Sequence, residues 1–92
     1  MNKQEYLELI QPAIDIVQKK HQDYNKGIEL SAYFPFGEFS YAQMIHVKSL
    51  RLNSLAGRGT PHFESQFDTV LDLINYCVFY LDYMKKAKDE QV

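Results

Sequence analysis

A lysine stands in the middle of an apolar helical face. Tyr41, Met44, Ile45, Lys48, Leu52 and Leu55 recur at the spacing of one side of a helix, with Arg51 at its edge. An isolated buried ammonium is very costly, so Lys48 must reach water, a carboxylate or an anionic ligand. A later stretch supplies carboxylates. Glu64, Asp68, Asp72 and Asn75 follow one another at four, four and three residues and form a polar stripe beside an apolar one. Four-residue spacing places Asp68 and Asp72 one turn apart on the same side of a helix. Two carboxylates so placed can hold Mg²⁺, which takes one or two of them together with phosphate oxygens and water. Two readings follow. Lys48 and Arg51 neutralise the phosphate of a ligand while Asp68 and Asp72 hold Mg²⁺, or the four side chains pair as a structural network between helices. Asp72 and Asn75 are the hardest to assign to structure alone, because a helix interior favours neither residue type.

The other candidates are weaker. Asp23, Tyr24 and Asn25 close the first helical segment, where side-chain hydrogen bonds to backbone would end a helix. His21, His46 and His62 lack the spacing of a zinc site. The single cysteine, Cys77, lies within an apolar helical pattern and reads as a buried, inert thiol. Neither a Gly-rich phosphate loop followed by Lys-Ser or Lys-Thr nor a Gly-x-Ser-x-Gly turn occurs in the sequence.

Three helical segments must position these groups. The first runs from about Lys3 to Tyr24, with Leu7, Ile10, Ile14, Val17 and His21 on one face and Pro12 inside it. Residues 25–39 form an aromatic-rich loop holding Tyr33, Phe34, Phe36 and Phe39, expected to fold back as a lid or to meet another subunit. The second helix is expected to start at Ser40, with Ser40 and Gln43 as a capping box, and to end before Gly57. Thr60 and Pro61 then read as N-cap and first residue of a third helix reaching Lys86, with Phe67, Leu71, Ile74, Val78 and Leu81 as its core stripe.

Composition narrows the class. The 92 residues suit one domain, and their net charge is −2. A protein that coats DNA or RNA would carry a basic excess, so no nucleic-acid polymer is expected as partner. A small phosphorylated ligand needs only two or three local cations. The N-terminus lacks the apolar stretch of a signal peptide, and no run is long enough for a membrane span, so a cytoplasmic location and no membrane partner are expected. Seven Tyr and six Phe exceed what so short a chain can cover, which points to a homo-oligomer using Tyr33, Phe34, Phe36 or Phe39.

Three strings carry a family resemblance: Lys20-His-Gln-Asp23-Tyr24-Asn25, Lys48-Ser-Leu-Arg51-Leu52-x-Ser54-Leu55, and Asp68-Thr-x-x-Asp72-Leu73-Ile74-Asn75-Tyr76. In order and spacing the chain resembles the nucleotide modification associated domain family of the first kind, found mainly in bacteriophages and prophages. The likeness spans about residues 18–83. It implies a helical domain linked to phage nucleotide metabolism or modification, acting in an infected or lysogenic bacterial host. The positions it carries over are Asp23, Tyr24, Lys48, Arg51, Asp72, Asn75 and Tyr76. Asn25 stands where that family often has glycine. A looser similarity is to all-helical nucleotide pyrophosphatases of the MazG type. Glu5-Tyr-Leu-Glu8 matches their first acidic pair, whereas Glu64, Asp68 and Asp72 depart from the second.

The expectation is therefore an all-α domain, compact, of three main helices over residues 1–92, binding a nucleotide or related phosphorylated metabolite. Asp23, Tyr24, Lys48, Arg51, Asn75 and Tyr76 are the ligand-binding candidates, with Asp68 and Asp72 for a metal. The alternative is a non-catalytic phage counter-defence protein that sequesters a host nucleotide signal or blocks a host protein. The sequence does not separate enzyme from binder.

Overall fold

The structure, a computed structural model, describes residues 1–24, 30–59 and 62–90, without the side chains of residues 21–24 and 63. The fold is all-α. Helix α1 spans Lys3–Tyr24, α2 spans Glu38–Leu55 and α3 spans Phe63–Glu90. A 3₁₀ turn at Leu30–Tyr33 precedes α2. The longest dimension, 47 Å, is close to the ~42 Å that the 28 residues of α3 span at 1.5 Å per residue.

Local signals set the helix ends. Asn2 caps α1: the Glu5 amide donates to Asn2 Oδ1 at 2.8 Å, and the Asn2 amide donates to Glu5 Oε1 at 3.5 Å. Pro12 is accommodated inside α1, which forgoes the bond residue 12 would donate to the Glu8 carbonyl. The start of α2 corrects the sequence reading. Its N-cap is Gly37, not Ser40. Gly37 has φ +58°, and a Cβ there would meet the Tyr83 hydroxyl at 2.8 Å. Ser40 Oγ instead accepts from the Phe36 amide at 2.9 Å and tightens the turn into the helix. The end of α2 follows expectation, with Gly57 at φ +79° just past Ala56. Thr60 and Pro61 lie outside the described residues.

Helices α2 and α3 form an antiparallel hairpin, and α1 packs less extensively against α3. Aromatic rings fill the far end of the hairpin. Tyr41 is only 3% exposed. It stacks on Phe34 at 4.1 Å between centroids and on Tyr80 at 5.6 Å, with Tyr83 tilted against it at 5.1 Å. Phe34 also meets Tyr76 edge-on and Phe79 at 6.2 Å. The described part of the aromatic loop thus closes on its own chain. Phe34 is buried there, whereas Tyr33, Phe36 and Phe39 stay exposed.

The expected core stripe of α3 is also corrected. Leu71 is buried and Ile74 half-buried, but Phe67, Val78 and Leu81 are exposed. The face turned inward is Leu71, Asn75, Tyr76, Phe79, Tyr80 and Tyr83. Cys77 is exposed rather than buried, because it lies on the outer face with Val78 and Leu81.

Candidate functional site

The antiparallel hairpin brings the centre of α2 against the first half of α3. Lys48 Nζ reaches Asp72 Oδ2 at 3.1 Å, with the two side chains 23% and 30% exposed. The lysine on the apolar face thus finds a carboxylate on the facing helix, as its position demanded. Asp72 is compensated by the same contact.

One turn along the seam, Arg51 Nε donates to Thr69 Oγ1 at 3.3 Å. Thr69 passes its own proton to the Ser65 carbonyl at 2.6 Å. Thr69 is buried, and its hydroxyl donates to one of these partners and accepts from the other. Sequence reasoning missed it: a β-branched residue in a helix reads as packing, and its polar role needs the facing arginine. The guanidinium of Arg51 is exposed at the rim and holds two further nitrogens, a fork suited to two oxygens of one phosphate.

The remaining candidates divide. Asn75 is buried and donates through Nδ2 to the Ala13 carbonyl at 3.1 Å. Its amide ties α3 to the middle of α1, where the small Ala13 lets the helices approach. Tyr76 is half-buried, with its ring edge-on to both Phe34 and Phe79. Asp68 is exposed, one turn before Asp72 on the same helix. The side chains of Asp23 and Tyr24, and all of Asn25, lie outside the described residues.

Among the described residues no group of three His, Cys, Asp or Glu side chains comes together to hold an ion. Asp72 is committed to Lys48, and Asp68 alone would leave most of a Mg²⁺ shell to ligand oxygens and water. Among the described residues no helix is long and apolar enough to cross a membrane.

Comparison with known proteins adds no relative. No family model, no curated protein and no solved structure matches the chain.

Proposed function

We propose that the α2–α3 seam binds a nucleotide or related phosphorylated metabolite, with Lys48 and Arg51 meeting the phosphate. The observation that carries this reading is Lys48, a cation three-quarters shielded on the packed face of α2, held in place by Asp72 with Arg51 one turn away. Two cations at that spacing present a preset anion grip on rigid helices. The sequence likeness to a phage nucleotide-linked family supports the same ligand class. Asp72 acts as the positioning partner that holds the Lys48 ammonium in place. Asn75 acts through the fold, by holding α1 in place. Any Mg²⁺ would arrive with the ligand's own phosphate oxygens.

Calorimetric titration with mono-, di- and cyclic nucleotides, with and without Mg²⁺, tests the proposal. Binding to wild type that weakens about tenfold or more in Arg51→Ala, at unchanged melting temperature, supports it. Absence of heat with every nucleotide overturns it. A lower melting temperature in both Arg51→Ala and Asp72→Asn, with no nucleotide effect on wild type, makes the seam structural.

A second reading has its own observation. Phe36 is 77% exposed and Phe39 nearly as much, and they line an open apolar groove of about 410 Å³ with Phe34 and Met44. That surface suits capture of a host protein, the counter-defence alternative. Loss of a retained host protein on Phe36→Ser, with no nucleotide binding by wild type, would favour it.

A further inference from the structure

Among the described residues the outer face of α3 is apolar and mostly exposed, with Ile74 half-buried. Val70, Ile74, Cys77, Leu81 and Met84 follow one another at four, three, four and three residues, with Val78 alongside. That is the spacing of a helix–helix seam. Leu81 is 61% exposed and Val78 52%. No charged side chain interrupts the row between Val70 and Met84. Tyr6, Leu7, Leu9 and Ile14 on α1 are exposed as well.

The surface area states how much covering is needed. A folded monomer of 10.8 kDa exposes about 5,500 Å² by the usual scaling. This chain exposes 7478 Å², roughly 1,900 Å² more. An obligate homodimer removes about 1,000–2,500 Å² from each partner. The excess falls within what one second copy would bury.

The geometry points to a homodimer in which the outer faces of two α3 helices pair antiparallel about a two-fold axis. Charge chooses the direction. Glu64 stands near the N-terminal end of α3, while Lys85 and Lys88 stand near its C-terminal end. Antiparallel pairing lays the lysines of each copy beside Glu64 of the other and opposes the helix dipoles. Parallel pairing would align the two helix dipoles instead and leave Glu64 without a lysine of the other copy. Centring the antiparallel pair between Asn75 and Tyr76 sets Val70 of one copy against Leu81 of the other, and Ile74 against Cys77. A two-fold axis makes each contact occur twice. The Lys48–Asp72 seam lies on the other side of α3, so pairing leaves it open.

Sedimentation equilibrium of the full chain at micromolar concentration is the test, with helix content followed by circular dichroism. Wild type sediments at twice 10.8 kDa. Leu81→Glu and Val70→Lys each raise the dissociation constant by about 100-fold or more at unchanged helix content, because unpaired charges enter an apolar layer twice. The double variant Val70→Lys/Leu81→Glu returns toward the dimer, since antiparallel pairing sets Lys against Glu. A monomeric wild type overturns the proposal. So does a Leu81→Glu variant that stays dimeric, or a dimer that Phe36→Ser breaks and Leu81→Glu does not. A double variant that remains monomeric overturns the antiparallel arrangement.

Discussion

The two faces of α3 are both apolar and differ in what meets them. The inner face turns Tyr76, Phe79, Tyr80 and Tyr83 toward Phe34 and Tyr41, and the rings stack or meet edge-on. The outer face offers aliphatic side chains, and among the described residues Val70, Val78, Leu81 and Met84 on it stay exposed. Aromatic stacking carries a directional term of ~0.5–1.5 kcal/mol beyond area burial, so the inner face specifies its partner. Aliphatic surface is far less directional, and its demand is mainly to leave water. One helix therefore holds the fold together on one side and leaves an apolar surface on the other.

Substitutions can break this contrast. The largest effect is expected at the centre of the ring cluster. Tyr41→Ala should cost about 3–5 kcal/mol in denaturant unfolding, through the cavity left between Phe34, Tyr80 and Tyr83. Gly37→Ala comes next at about 1–3 kcal/mol, since its φ of +58° suits only glycine and the new methyl meets Tyr83. Asn75→Ala is expected to cost about 1–2 kcal/mol and to raise hydrogen exchange in α1 selectively, because it cuts the bond to the Ala13 carbonyl. Equal exchange throughout the chain would show that Asn75 does not hold α1.

The smallest effects sharpen the comparison. Burial raises the Tyr41 hydroxyl above its ordinary 10.0, with Asp82 and Tyr83 adding to the rise and Lys86 opposing it. The native state then holds this proton more tightly than the unfolded chain. The resulting stability is fully present below pH 10 and is lost as pH climbs through the raised value. Tyr41→Phe should flatten that alkaline loss while keeping the ring stack. An unchanged alkaline profile in Tyr41→Phe would assign the loss to other groups. Lys48→Met is expected to cost about 1 kcal/mol or less, because the ion pair is still partly solvated. A loss of several kcal/mol would show the pair to be more strongly desolvated than its exposure indicates.

Much of the site was legible in the residues. Lys48 on an apolar face required a carboxylate or an anion, and Asp72 provides the carboxylate. Thr69 was not legible, because its role depends on where Arg51 arrives. Asn75 drew notice as a polar residue in a helix interior, yet its partner is a backbone carbonyl on α1, which residue types do not mark.

By itself the sequence determined the helical class, the course of α1, the end of α2 at Gly57 and the pairing of a central lysine with the acidic stripe of α3. Those are consequences of local backbone preference and of the cost of an unpaired buried charge. Tertiary structure alone decided which apolar stripe of α3 became core. Periodicity showed Phe67, Leu71, Ile74, Val78 and Leu81 as one stripe, but the hairpin turned the tyrosine-rich side inward and left Cys77, Val78 and Leu81 outside. A repeat along one helix records that a face is apolar. It does not record what covers that face, because the choice is made by the angle at which the neighbouring helix arrives. Here the neighbouring helix brings Tyr41 against Tyr80 and Tyr83.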